Sequence, residues 1–249
     1  MLDLQGYESS IFDGAIVTLQ VALLSLILAV FLGLLGALAK MAPYRWARGI
    51  ATIYTTVVRG IPDLVLMMLL FFGGQMLLNN GLYATNEWIN EWMTTSNPDH
   101  EWISYLPDYI EISPFIAGIL TIGFIFGAYM AETFRGAIMA VDRGEMEAAK
   151  AYGMSQFQTY KRIILPSALR RALPAYSNEV IFMLHGSAIA GIVTLMDLTG
   201  AARLVNSRYY APFESYIAAG LFYMCLTFII IFVFKQLETR MLRFMRPLS

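Results

Sequence analysis

The chain has 249 residues, of which 58% are apolar and 14% charged; soluble domains run nearer 45–50% and about 25%, so the composition argues against a water-soluble globule. Seventeen Lys and Arg against 18 Asp and Glu give a formal charge of −1, which implies neither nucleic acid nor an acidic surface as partner. The single cysteine, Cys225, lies in an apolar run and cannot form an internal disulfide.

An all-α integral membrane protein is expected, and its elements follow in chain order. The N-terminal segment 1–13 carries Asp3, Glu8 and Asp13 without Lys or Arg, so it lacks the basic region of a signal peptide. Span one covers about 14–39 and is interrupted only by Thr18, Gln20 and Ser25. Span two covers about 55–78. Its apolar run from Ile61 to Leu78 holds one carboxylate, Asp63, and Arg59, Gly60 and Pro62 predict a helix broken or started there. The insert 79–113 combines Glu87, Glu91, Asp99, Glu101, Asp108 and Glu111 with Trp88, Trp92 and Trp102. That composition suits an external loop with interfacial anchors, serving either as a docking surface or as a solvated insert. Span three covers about 114–135, apolar to Met130 and helical past Glu132 and Arg135. Span four, about 174–195, carries Asn178, Glu179 and His185; polar groups at that depth must face protein or water. Span five covers about 213–235, and 238–249 forms a tail.

Basic residues set the orientation, because Lys and Arg are retained on the cytoplasmic side during insertion. Fifteen of the 17 follow spans one, three or five. Only Arg203 and Arg208 lie in the loop after span four, and none lies in the N-terminal segment or the insert. The N-terminus is therefore expected outside and the C-terminus inside.

The cytoplasmic loop 141–171 is too long for a plain connection and too patterned for a disordered one. Glu145 to Tyr152 predicts a short helix with acids in its first turn, ended by Gly153. Ser155 is a candidate N-cap for a second helix, in which Phe157, Tyr160, Ile163 and Ile164 recur at helical spacing before Pro166 stops the pattern. The product is a helix–turn–helix knob whose small residues Ala148, Ala149 and Ala151 would let another protein approach closely.

Within it, Glu147-Ala148-Ala149, then Gly153, Ile163 and Leu165-Pro166, resembles the cytoplasmic EAA loop signature of permease subunits in binding-protein-dependent ABC importers. Arg59-Gly60-Ile61-Pro62-Asp63 and Ala131-Glu132-Thr133-Phe134-Arg135-Gly136 are similar to segments of the polar amino-acid permeases. The first half resembles one subunit of the histidine and basic amino-acid importers. Pro174 to Ile181 with Leu184-His185 resembles the other.

The resemblance implies the type I ABC importer permease fold: five transmembrane helices, a periplasmic N-terminus and a cytoplasmic C-terminus, in a bacterial inner membrane. It implies a second permease, as a homologous heterodimer in preference to a homodimer, two ABC ATPase subunits and a periplasmic amino-acid-binding protein. It also implies that the knob around Glu147 to Gly153 docks on the ATPase as a coupling helix, with Glu147, Ala148, Ala149, Gly153, Ile163, Leu165 and Pro166 as the coupling residues. The four lysines, Lys40, Lys150, Lys161 and Lys235, follow Ala, Ala, Tyr and Phe, so no phosphate loop of the Gly-Lys-Ser/Thr type is present. ATP and Mg would belong to the partner ATPase; no cofactor is expected on this chain, and no catalytic or metal-binding set is recognised.

Four residues, Asp63, Glu132, Glu179 and His185, stand where a bilayer disfavours charge. They are expected to line a pathway for a cationic amino acid. Against this, Arg59 and Asp63 stand four apart and Glu132 and Arg135 three apart, spacings at which each carboxylate would simply pair along its helix. An ion-coupled secondary transporter would also explain buried carboxylates, but no internal repeat is visible. An intramembrane hydrolase would need a nucleophile with a base, and Leu184-His185-Gly186-Ser187-Ala188 does not supply one.

Overall fold

A computed structural model of the protein describes residues 8–96, 107, 109–191 and 195–242. The expected features at Asp3, Asp99, Glu101, Trp102 and Asp108, the basic residues Arg243 and Arg246, and the end of span four at 192–194 lie outside the described residues. Those described form ten α-helices with two π-helical turns and no strand: α1 (Glu8–Met41), α2 (Arg45–Gly60), α3 (Asp63–Met68), a π-turn at Leu69–Gly73, α4 (Gly74–Ser96), α5 (Pro114–Met139), α6 (Arg143–Ala151), α7 (Gln156–Thr159), a π-turn at Tyr160–Ile164, α8 (Leu165–Ala190), α9 (Leu198–Tyr209) and α10 (Pro212–Met241).

Four of these stretches are long and apolar enough to cross a membrane: Ser9–Met41, Asp63–Thr95, Pro114–Met139 and Pro212–Met241. Helix α8 has 26 residues, enough at 1.5 Å per residue to cross the hydrocarbon core, but it carries Arg170, Arg171, Glu179 and His185 along its length.

The core is built on α1 against α5. Their contacts climb together, from Ser25 Oγ donating to the Ile119 carbonyl at 3.2 Å through Gly33 against Met130 and Gly36 against Ala131 to Lys40 with Glu132, so the two helices run in the same direction. They approach closely because glycines face the partner. A β-carbon at Gly33 would fall 2.7 Å from Met130 Cβ, and one at Gly127 would fall 2.8 Å from Leu32 Cβ. Small-residue seams of this kind drive helix association where lipid supplies no hydrophobic contrast.

Span two differs from its expected boundaries. Helix α2 stops at Gly60; Ile61 and Pro62 are extended, and a new helix begins at Asp63 and runs through the π-turn to Ser96. The helix long and apolar enough to cross therefore starts at Asp63, with a separate helix over Arg45–Gly60, and helix persists into the insert. The polarity that begins at Asn79 ends the suitability of the segment for lipid, but residues such as Leu82, Ala84, Glu87 and Glu91 remain good helix formers.

Pro166 does not end the helix of the loop, which passes from α7 through the π-turn into α8. The wider turn at Tyr160–Ile164 precedes Pro166, which then sits in the first turn of α8, where a missing N–H costs little. Pro174 lies inside α8, and Ser177 Oγ donates to its carbonyl at 2.8 Å.

A second, smaller core packs α9 between the start of α1 and α10, with Ile11, Ala15, Leu198, Ala201, Ala202, Val205, Ala218 and Ala219 buried. Its anchor is Asp197, fully buried. The carboxylate caps α9 by accepting from the Gly200 N–H at 2.8 Å and accepts from Tyr223 Oη at 3.3 Å; beside it Leu198 N–H donates to Thr18 Oγ1 at 3.0 Å. Removing an N-cap side chain costs roughly 0.5–2 kcal/mol, and here it also strands a buried donor. Asp197→Ala is expected to lower the midpoint of thermal unfolding in detergent, with Asp197→Asn retaining most of it; equal midpoints for Ala and wild type would contradict the capping role.

Candidate functional site

The helix break at Ile61–Pro62 points the first residue of α3, Asp63, into a cavity of about 520 Å3. Its other walls come from α5, with Phe126 and Tyr129, and from α8, with Glu179, Phe182, His185, Gly186 and Ile189. Asp63 Oδ1 accepts from Tyr129 Oη at 3.3 Å, and Glu179 Oε1 accepts from Thr133 Oγ1 at 3.3 Å. His185 Nε2 lies 3.0 Å from Thr227 Oγ1 of α10. Three of the four expected pathway residues thus share one cavity, 122 positions apart at the extremes of the sequence. Neither carboxylate is in an ion pair among the described residues, and the rings of Phe126, Tyr129 and Phe182 line the same cavity. That combination favours a cation, by charge and by the faces of the rings.

Glu132 stands apart from this cavity. It is held by Lys40 of α1, by Arg135 Nε at 2.9 Å and by Thr55 Oγ1 at 3.3 Å. The pairing with Arg135 follows from helical spacing, whereas Lys40, 92 residues away, had no signal in the sequence. The alternative pairing of Arg59 with Asp63 does not form, because the two stand on different helices across the break. Arg59 instead places its guanidinium 5.4 Å from the centre of the Tyr129 ring.

The loop folds into the expected knob. Asp142 caps α6 by accepting from the Gly144 N–H at 3.1 Å. Gly153 closes it at φ +70°, with Gly153 N–H on the Lys150 carbonyl at 2.9 Å and Met154 N–H on Ala149 at 3.1 Å. This is the left-handed cap that glycine adopts without strain. Ser155 and Gln158 then form a reciprocal capping box that starts α7.

Beneath the knob Val141, Ile164 and Ala168 pack with Ile138 and Met146. Of its small residues, Ala149 is buried, which corrects the expectation that all three alanines are offered outward; Ala148 and Ala151 are exposed, as is Glu147. Ile163 and Pro166 are half-buried and Leu165 is exposed. Tyr152 and Phe157 are 85% and 73% exposed, large apolar groups without cover. Glu145 Oε1 accepts from Ser167 Oγ at 3.3 Å and meets Arg171 Nη2 at 3.5 Å, tying α6 to α8. These partners lie 22 and 26 residues away, beyond any local spacing rule, so the tie was not legible in the sequence. The knob thus sits on the same helix that supplies Glu179 and His185 to the cavity. Among the described residues no group of His, Cys, Asp or Glu is placed to hold a metal ion.

Residues 29–243 match the family described as "Binding-protein-dependent transport system inner membrane component". The chain is 41% identical over 237 residues, 95% of each sequence, to the histidine/lysine/arginine/ornithine transport system permease protein HisQ of Salmonella typhimurium. It is 34% identical over 244 residues, covering 98% of this chain and 92% of the relative, to the permease protein HisM of the system of the same name in Escherichia coli K12. A solved structure titled as an amino acid ABC transporter with histidines is similar with a TM-score of 0.75 and 31% identity, over 94% of this chain and 95% of that one.

Proposed function

The chain belongs to the binding-protein-dependent transport system inner membrane components, and we propose on that premise that it is the permease subunit of an ABC importer for basic amino acids such as histidine, arginine, lysine and ornithine. The observation that carries the cargo class is the meeting of Asp63 and Glu179, both outside any ion pair among the described residues, in one aromatic cavity with His185.

The chain crosses a bacterial inner membrane five times, with α8 as the fourth crossing and the N-terminus outside. Two facts support this topology: the common direction of α1 and α5 requires an odd number of crossings between them, and 15 of 17 basic residues follow spans one, three or five. A periplasmic binding protein delivers the amino acid, a second, homologous permease completes the pathway, and two ATPase subunits hold ATP and Mg. The exposed outer face of α6 and α7, with Glu147, Ala148, Tyr152 and Phe157, receives their motion and passes it through the Glu145–Ser167–Arg171 tie to α8. Similarity to ABC permeases along the whole chain stands against a self-sufficient secondary transporter.

The test of cargo class is lysine uptake by the complete complex in proteoliposomes. Asp63→Asn with Glu179→Gln is expected to lower uptake by about tenfold or more, the scale of a lost charge-assisted hydrogen bond, with ATP hydrolysis retained. Unchanged uptake would exclude these carboxylates from the pathway.

A further inference from the structure

An α-amino acid carries a carboxylate as well as a cation, and a cavity faced by two acids repels it. The neighbouring positive charge is Arg59. It ends α2, is exposed, and makes no ion pair among the described residues. Its guanidinium lies 5.4 Å over the ring of Tyr129, a wall residue of the cavity whose hydroxyl donates to Asp63, so cation and carboxylate meet the same ring, one at its face and the other at its hydroxyl. It is also within Coulombic reach of Glu179. The Tyr129 face steadies the guanidinium without using its five N–H donors, and the break at Ile61–Pro62 keeps Arg59 from folding back on Asp63 along a continuous helix. Lys40 and Arg135, by contrast, are taken up by Glu132.

We propose that Arg59 is the carboxylate-recognising residue of the permease, so that the site is bipolar: acids at Asp63 and Glu179 for the amine or side-chain cation, Arg59 behind the Tyr129 wall for the α-carboxylate. Recognition of the basic amino acid then requires its free carboxylate as well as its cation. Diamines and other decarboxylated analogues keep the cation and lose the second contact. This inference rests on the proposed transport function, since it assigns chemistry to the same cavity.

The test is binding to the complex purified with the subunits that accompany it, in nanodiscs and without binding protein, which would impose its own selection. Lysine, norleucine and cadaverine serve as probes by calorimetry. Wild type is expected to bind lysine about tenfold or more tighter than cadaverine, on the scale of a charge-assisted contact. Arg59→Gln removes that preference by weakening lysine alone, and Arg59→Lys restores part of it. Norleucine, which lacks the side-chain cation, reports on Asp63 and Glu179 separately. Equal binding of lysine and cadaverine by wild type, or a preference unchanged in Arg59→Gln, overturns the role of Arg59 while leaving the transport function standing. Absence of lysine binding by the folded wild-type complex overturns the cavity as cargo site, and the role of Arg59 with it.

Discussion

Gly153→Val is expected to abolish uptake while the bundle stays folded. Position 153 has φ +70°, where an L-residue pays roughly 1–2 kcal/mol and a β-branched one is a true outlier. The substitution meets no steric obstacle, since nothing lies within 4 Å of a β-carbon there; the penalty is purely conformational. Relief requires the α6–α7 turn to open, which breaks the bonds from Gly153 and Met154 back to α6 and swings the outer face of the knob away from its present direction. Gly153→Asn, which tolerates the left-handed region better, should fall between. The measurement is ATP-driven uptake beside thermal unfolding: uptake of Gly153→Val should fall to background, with the main unfolding transition retained. Full uptake by Gly153→Val would show that the geometry of this turn is immaterial.

The second large effect is expected in the α1–α5 seam. Gly33→Leu places a side chain where a β-carbon alone falls 2.7 Å from Met130 Cβ and 3.1 Å from Phe134. Met130 is wholly buried, and the clash is with its β-carbon rather than a flexible tip, so a new rotamer cannot absorb it. Overpacking typically costs about 1–3 kcal/mol. Here the separation of the helices would also pull Lys40 from Glu132, leaving a half-buried carboxylate with one cation fewer. Reduced yield of folded protein and a lower unfolding midpoint in detergent are expected for Gly33→Leu. Gly220→Leu, with open space around a β-carbon, serves as control. Equal midpoints for the two would contradict close packing at this seam.

The parts of the molecule that were legible in the sequence are those written in local spacing. Gly153 and Ser155 announce the knob because caps act within one turn, and Pro62 announces the break that aims Asp63. The misjudged features depend on what the chain meets far away. The pairing of Lys40 with Glu132 joins α1 to α5, and the tie of Glu145 to Ser167 and Arg171 joins α6 to α8; neither has a periodic signature. Pro166 failed as a stop because the π-turn before it changes the ladder that a proline would otherwise break. Helix α9 escaped notice since its apolar face is short, Leu198, Ala201, Ala202 and Val205, and it becomes a core only against α1 and α10. Ala149 faces inward although its neighbours face out, a distinction of 100° around the helix that only the packed knob resolves.

The claim on which the mechanism turns is that movement of the bundle is driven through the knob by an ATP-hydrolysing partner. Its most direct test is lysine uptake into proteoliposomes holding either this complex or the chain without its ATPase, each with and without ATP. Uptake is expected only from the complex, only with ATP, and not when Gly153→Val is present. Uptake by the chain without ATPase, sustained by an ion gradient alone, would contradict it.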